Sequence, residues 1–235
     1  MRLTNTNLKI LAILFMLIDH IAATSSYLYN EKYVVYIIMR IIGRLAFPIF
    51  AFLLVEGFFH TRNRHKYLLR LSIFALISEV PFDLAFYRTY IELSHQNVFF
   101  TLSIGLIAIM LFDKYVEENF SKAFGYLVLM GFTSLILMTD YNIIGVLIIF
   151  SFYYYRSDFR KLFLALTILN GLFIIEPLIT IVTSGTFNFE TIIQIFAVLA
   201  LFLIKLYNHE RGYPLKYLFY IFYPAHLVIL YLINL

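Results

Sequence analysis

The segment from residue 34 to residue 55 has the sequence VVYIIMRIIGRLAFPIFAFLLV, and it decides the fold class. It is apolar and long enough to cross a bilayer, yet it carries Arg40 and Arg44 in its interior. An arginine at the centre of a membrane helix costs about 2.5–3.5 kcal/mol on insertion scales. The preceding apolar run contains a second ionisable pair, Asp19 and His20. Because ionisable groups inside membrane helices are functional by default, these four residues are the first candidates for a site.

The whole chain has the composition of an integral membrane protein. It is 62% hydrophobic and 14% charged, and its mean hydropathy is +0.86. Its apolar runs lack the alternating pattern of an outer-membrane barrel. We therefore predict an all-α fold, a polytopic helical bundle that forms a single domain over residues 1–235. We expect it in the inner (plasma) membrane, with the first apolar run kept as a helix rather than cleaved as a signal peptide.

Nine apolar runs are candidates for transmembrane helices. They cover residues 8–28, 33–58, 67–87, 97–112, 123–138, 142–155, 162–183, 190–205 and 215–234. The fifth and sixth runs are short and could form a re-entrant pair, which would leave seven spanning helices. We therefore predict about nine transmembrane helices, with seven as the alternative.

The basic residues predict a cytoplasmic N-terminus. In that orientation the external segments hold only Lys32 and Arg88, whereas fourteen of the 18 basic residues are cytoplasmic, as the positive-inside rule requires. The fourteen are Arg2, Lys9, Arg62, Arg64, Lys66, Arg70, Lys114, Lys122, Arg156, Arg160, Lys161, Lys205, Arg211 and Lys216. This orientation also explains the sequence pI of about 9.1, so we predict no nucleic-acid partner.

The orientation places the four central residues at one depth. At about 1.5 Å per residue, Asp19 and His20 lie roughly 15–17 Å from the start of their helix, near mid-membrane, and the two arginines reach a similar level from the other side. The four-residue spacing places both guanidinium groups on one helix face. Pro48 removes a backbone N–H and crowds the carbonyl of Arg44, which opens the backbone beside that arginine.

The remaining candidates fall in the middle or outer half of the predicted membrane. They are Glu79, Asp83, Asn97, Asp140, Tyr223 and His226. Because they share this depth, we predict one polar cavity open to the exterior, in which they bind substrate or cofactor. The two carboxylates of Glu79 and Asp83 could neutralise the arginines. Asn97 could line the cavity mouth or cap the fourth helix, and His226 could be a second base, a donor to substrate or a packing histidine.

His20 is the strongest candidate for chemistry, because imidazole exchanges a proton near neutral pH. Asp19 could set the protonation of His20 or pair with an arginine, since neighbouring helix residues point about 100° apart. The arginines could stabilise an oxyanion or only form a neutralised structural network. The sequence has no cysteine nucleophile, no metal-spaced histidine cluster and no phosphate-binding loop, so no metal is predicted.

Several motifs resemble those of the TraX family. They are MLIDHI at 16–21, RIIGRLAFPIFAFLLVEGFFHTR at 40–62, YLLRL at 67–71, EVPFD at 79–83, NVFFTL at 97–102 and FYPAHL at 222–227. The family is named for a conjugation protein that acetylates the N-terminal amine of F-type pilin. It is also similar to acyltransferase-3-type membrane enzymes, which take acyl groups from cytosolic acyl-CoA. By this resemblance His20 matches their first-helix histidine, and Arg40 and Arg44 match their paired arginines.

The resemblance implies a membrane acetyltransferase. Acetyl-CoA would be the cytosolic donor, and the acceptor would be an amine or hydroxyl on a protein or surface polymer at the outer face. His20 would act as base or be transiently acetylated, Asp19 would set its protonation, and Arg44 or Arg40 would stabilise the oxyanion or hold the thioester. Two other functions stay open: a proton-coupled transporter that uses this cluster as a relay, and a non-catalytic membrane partner of a conjugation or secretion assembly.

Overall fold

The computed structural model describes residues 2–185, 189–215 and 217–234. Lys216, one of the predicted cytoplasmic charges, and both ends of the predicted domain lie outside the described residues. The α-helices are α1 (Asn5–Thr24), α2 (Ser26–Glu31), α3 (Tyr33–Gly43), α4 (Ala46–His60), α5 (Arg64–Tyr87), α6 (Val98–Tyr115), α7 (Phe120–Ile136), α8 (Asn142–Tyr154), α9 (Phe159–Gly171), α10 (Ile175–Ser184), α11 (Ala200–Lys205) and α12 (Leu218–Ile233). Two 3₁₀ helices, Leu172–Ile174 and Phe189–Leu199, precede α10 and α11.

The described part of the chain is helical, as predicted, and its helices are those of a membrane protein. Four helical segments there are long and apolar enough to cross a membrane: Asn5–Thr24, Tyr33–His60, Val98–Tyr115 and Phe159–Ser184. Four shorter apolar helices cover Phe120–Ile136, Asn142–Tyr154, Ile192–Lys205 and Leu218–Ile233. The all-α membrane class is therefore confirmed, whereas the number of nine spans and the cytoplasmic N-terminus stay predictions.

Polar side chains begin many of the helices. Thr4, Asn63, Asn97, Asn119 and Asp158 each accept a hydrogen bond from a backbone N–H in the first turn of the helix that follows. Such caps satisfy donors that have no partner within the helix. The helix starts therefore follow from local sequence, and they agree with the predicted spans to within a few residues.

The second predicted span is broken in its middle. Arg44 and Leu45 form a turn between α3 and α4. Pro48 lies in the first turn of α4, where it has no N–H to donate and crowds the carbonyl of Arg44, so a regular helix cannot continue through that arginine. The sequence predicted an opened backbone beside Arg44, and α3 ends at this point.

The helices pack so that α1 lies against most of the site-bearing segments. It contacts α3, α4 and α12, while α5 lies between α6 and α12, and α8 packs against α4, α6 and α7. The interior contains large buried rings, among them Phe99 and Tyr223. This arrangement brings residues from both ends of the sequence to the middle of the bundle.

Candidate functional site

Asp19 on α1 forms ion pairs with both arginines of the opening segment. Arg40 Nη1 lies 2.8 Å from Asp19 Oδ1, and Arg44 Nη2 lies 2.6 Å from Oδ2. The carboxylate is buried, with 7% of Asp19 exposed. Buried charges are tolerated when they are paired in this way. Because two guanidinium groups share one carboxylate, the three residues together carry one net positive charge.

The close approach of α1 and α3 at this point requires a glycine. A Cβ added to Gly43 would overlap the Cβ and the carboxylate of Asp19. Gly43 lies between the two arginines in sequence, so the backbone of α3 can press against Asp19 while both guanidinium groups reach its oxygens. The RIIGR motif therefore supplies both cations and, at its glycine, the space for the carboxylate that they share.

Two buried amide side chains, those of Gln194 and Asn170, form a hydrogen-bonded chain that leads to Arg44. Arg44 Nη1 donates to Gln194 Oε1 at 3.3 Å, and Gln194 Nε2 donates to Asn170 Oδ1 at 3.1 Å. Asn170 in turn donates to the Leu166 carbonyl at 2.8 Å. Neither amide was among the predicted site residues. The signal for them was present, because each is an isolated polar residue within an apolar run, where an amide needs a partner.

His20 and His226 form a hydrogen-bonded pair whose tautomers can be assigned. His20 Nδ1 lies 2.7 Å from His226 Nε2, and His226 Nδ1 lies 2.8 Å from the carbonyl of Phe222. A carbonyl only accepts, so His226 Nδ1 carries a hydrogen and, in the neutral ring, Nε2 is an acceptor. His20 must then donate from Nδ1. Nε2 of His20 is left with a lone pair, as a general base requires.

A cavity of about 450 Å³, hereafter the site cavity, contains most of the predicted residues in its walls. The predicted residues that line it are Asp19, His20, Arg40, Arg44, Asp140 and Tyr223. Aromatic rings make up much of the rest, including those of Phe47, Tyr141 and Phe86. His226 forms a hydrogen bond with His20, which lines the cavity. The structure thus brings together six of the ten residues that were grouped by their predicted depth.

His95 adds a residue that the predicted site did not include. It belongs to the loop of residues 88–97 and lines the site cavity, with its Nε2 3.6 Å from Asp140 Oδ1. This interaction with Asp140 raises the pKa of His95, although partial burial opposes the shift. A titratable pair therefore lies at the edge of the cavity, between the loop and the turn that precedes α8.

The structure corrects the interpretation of Glu79 and Asp83 as counter-charges to the arginines. Glu79 accepts hydrogen bonds from the side chain and backbone N–H of Asn97, and Asp83 Oδ2 accepts from the backbone N–H of Glu92 at 2.9 Å. Both carboxylates therefore organise the loop of residues 88–97 and the start of α6. Asp19 already supplies the anion that the arginines need.

Asn97 is the cap of α6, one of the two interpretations left open by the sequence. Its Oδ1 accepts from Phe99 N at 3.0 Å, and its Nδ2 donates to the Ala75 carbonyl at 2.8 Å. Asn97, like Glu79 and Asp83, is absent from the lining of the site cavity among the residues that the structure describes. In the same described part, no three His, Asp or Glu side chains are grouped to hold a metal ion.

A second cavity, of about 490 Å³, lies at the end of the bundle where α1 begins, and we name it the N-terminal cavity. Its charged and titratable lining residues are Lys9, Glu56, His60, Arg70, His209 and Arg211. Phe50 lines both this cavity and the site cavity. This cavity was not predicted from the sequence, because the positive-inside rule was a sufficient explanation for the basic residues.

Comparisons with known proteins agree with the motifs. The sequence profile of the TraX protein family matches residues 4–234. The chain is 29% identical over 255 residues to the probable fimbrial assembly protein FimC, serogroup H1, of Dichelobacter nodosus, a match that covers 95% of this chain and 92% of that protein. No solved structure matches significantly. Because the profile covers nearly the whole chain, the protein belongs to the TraX family.

Proposed function

We propose that the protein is a membrane acetyltransferase that moves an acetyl group from cytosolic acetyl-CoA to an amine or hydroxyl acceptor at the outer face of the inner membrane. The observation that carries the proposal is the His20–His226 pair, because it leaves a lone pair on Nε2 of a histidine that lines the site cavity. The TraX name, with its reference to pilin acetylation, supports this class of reaction. The wider resemblance to acyltransferase-3-type enzymes stays a prediction.

His20 acts as the general base in the proposed reaction. The amine nitrogen or hydroxyl oxygen of the acceptor attacks the thioester carbonyl of the donor with its lone pair. At the same time the acceptor gives its proton to His20 Nε2. The carbonyl oxygen becomes negative, and collapse of this intermediate breaks the carbon–sulfur bond. The departing thiolate takes the proton from His20 and leaves as CoA. His226 accepts from His20 Nδ1 throughout and so keeps the ring in the required tautomer.

Arg40 and Arg44 supply positive charge to the oxyanion. Their shared carboxylate, Asp19, leaves one net positive charge in the wall of the site cavity. Donors fixed in advance stabilise a developing charge more than mobile ones, since they need no reorganisation during the reaction. Asp19 thus serves mainly to hold the arginines, and His226 takes the role that was predicted for Asp19, the control of His20 protonation.

The relative from D. nodosus, a probable fimbrial assembly protein, favours a protein acceptor. In this view the acceptor is the N-terminal amine of a pilin-like subunit presented from the outer leaflet. The same relative also favours a second candidate function, a non-catalytic partner in fimbrial assembly. The two differ in what they require of His20, because only the enzyme needs its lone pair.

The test uses the purified full chain in nanodiscs with acetyl-CoA labelled in the acetyl group. A peptide with a free N-terminal amine and a hydroxyl-rich polysaccharide serve as trial acceptors. Because the chain has no cysteine, a thiol reagent detects released CoA without background from the protein. We expect His20→Ala to abolish acetyl transfer and His65→Ala, on the exposed start of α5, to preserve it.

Other outcomes of this experiment discriminate the alternatives. Undiminished transfer by His20→Ala would contradict the role of that histidine. Wild-type protein that binds a fimbrial subunit but releases no CoA would favour the assembly partner. Movement of a solute across reconstituted vesicles, again without CoA release, would favour the transporter.

A further inference from the structure

Among the described residues, the lining of the N-terminal cavity has more positive than negative charge. Lys9, Arg70 and Arg211 line it. Glu56 is the carboxylate among the described lining residues, and it pairs with Arg156, whose Nη2 lies 2.9 Å from Glu56 Oε1. Within the described residues, the Nε of Arg70 is buried without a hydrogen-bond partner. Like charges around one cavity repel each other unless an anion lies between them, so the lining favours a ligand with several negative charges.

The two cavities lie one behind the other along the same helices. α1 contributes Lys9 to the N-terminal cavity and His20 to the site cavity, and α12 contributes Phe219 and Tyr223 in the corresponding order. Eleven residues separate Lys9 from His20, which corresponds to about 16–17 Å along a helix. A donor bound by the cations must therefore carry its reactive carbonyl at the end of an arm of about this length.

Aromatic rings lie between the two cavities, so the part of the donor that connects them must be narrow. Phe50 lines both, and its ring lies 4.2 Å, centroid to centroid, from that of Phe219. Phe99 packs against the same Phe219 ring at 4.9 Å. Because Phe50 lines both cavities, a donor that reaches from one to the other has to pass these packed rings as a narrow chain. A compact donor such as acetyl phosphate could satisfy the cations or reach His20, but it could not do both.

We propose that the N-terminal cavity binds the phosphate-bearing head of the acyl donor, with Lys9, Arg70 and Arg211 as its ligands, and that the thioester arm reaches the site cavity past Phe50. This inference rests on the proposed acetyl transfer and locates the binding of its donor, acetyl-CoA, which joins a phosphorylated nucleotide to a long thioester arm. It assigns donor binding and chemistry to separate cavities.

The test measures the binding of CoA itself to the full chain by isothermal titration calorimetry. Nanodiscs of phosphatidylcholine are used, so that the lipid supplies no net negative charge. We expect Arg70→Gln to weaken binding roughly tenfold or more, since a charge-assisted hydrogen bond to phosphate is lost. Lys66→Gln is the matched control, an exposed cation one turn earlier on α5, and it should bind as the wild type does. Size-exclusion profiles and helical circular dichroism verify that both variants are folded.

The results separate this inference from the proposed function. Equal CoA binding by wild type and Arg70→Gln, or no binding by the wild type, would overturn the assignment of the cavity. His20→Ala should bind CoA normally without transferring acetyl groups; if it binds CoA and still transfers, the proposed chemistry fails while the binding site stands. Phe50→Trp should retain CoA binding and lose transfer, whereas unchanged transfer would overturn the passage of the arm beside Phe50.

Anionic lipid headgroups are the other source of phosphate for such a cavity. A parallel preparation in labelled phosphatidylglycerol distinguishes them from the donor. If this lipid co-purifies with the wild type and not with Arg70→Gln, while CoA binding is the same in both, the cavity holds a headgroup and the donor assignment is overturned. If CoA displaces the lipid from the wild type, the assignment is supported.

Discussion

Nδ1 of His20 lies 2.7 Å from Nε2 of His226, although 206 positions separate the two residues in sequence. His226 is fixed by the Phe222 carbonyl, so it can only accept from His20. Helices α1 and α12 thus act together to hold His20 in one tautomer.

Replacement of His226 by alanine should reduce acetyl transfer by about 10–100-fold, part of the contribution that general base catalysis makes. His20 would remain, but its Nδ1–H would lose its acceptor and the ring would no longer be held in one tautomer. Rates with labelled acetyl-CoA measure the loss, and ¹⁵N NMR of labelled histidines reports the tautomer directly. A variant with wild-type rates and an unchanged Nδ1–H tautomer would contradict the pairing.

Asp19→Asn should destabilise the protein strongly. Removal of the carboxylate charge leaves Arg40 and Arg44 unpaired in the interior, and a broken buried ion pair costs about 3–5 kcal/mol. Thermal unfolding in detergent, followed by circular dichroism, measures the effect. Glu117→Gln, at an exposed position, is the control and should leave the midpoint unchanged. Similar midpoints for both variants would show that the pairing contributes little.

Gly43→Ala should disrupt the same cluster by steric means. The added methyl group overlaps Asp19, and overpacking of this kind costs about 1–3 kcal/mol. We expect a lower unfolding midpoint together with reduced transfer, because the carboxylate must move away from the arginines. Gly125→Ala is a matched control, since a Cβ there meets no atom within 4 Å. Equal behaviour of the two variants would contradict the close approach of α1 and α3.

The His95–Asp140 contact should make stability depend on pH. The pKa of His95 is raised above its ordinary value of 6.5 in the folded protein. Its stabilising contribution is therefore complete below pH 6.5 and is lost as the pH rises through the higher folded pKa. The stability of wild type relative to His95→Gln should be greatest below pH 6.5 and decline above it. Unfolding midpoints across this range measure the difference, and an advantage that grows with pH would refute the prediction.

The sequence was sufficient to predict which residues share a depth. Asp19, His20, Arg40 and Arg44 could be placed at one level because a helix rises by a constant 1.5 Å per residue. Gly43 was part of the quoted motif, but its contact with Asp19 depends on how closely two helices approach. That distance is set by tertiary packing, which periodicity along one helix does not contain.

Rotation about the helix axis explains the main error. Glu79 and Asp83 have the right spacing and the right level to face the arginines, yet they bind Asn97 and the loop of residues 88–97. Depth alone cannot tell which neighbour a helix face meets. The N-terminal cavity was missed for a related reason, since a statistical rule about membrane orientation already explained its cations.

The ring of Phe50 has a consequence for the energetics of the cell membrane. Phe50 lines both cavities, so with the donor path proposed above a smaller side chain here is expected to join them, and protons could then flow through the opening down the membrane potential. In the proposed transfer, a ring that moves aside only for the acyl arm would let the acetyl group cross the membrane without an ionic leak. A smaller residue at position 50 should therefore be detected first as proton leakage across the membrane.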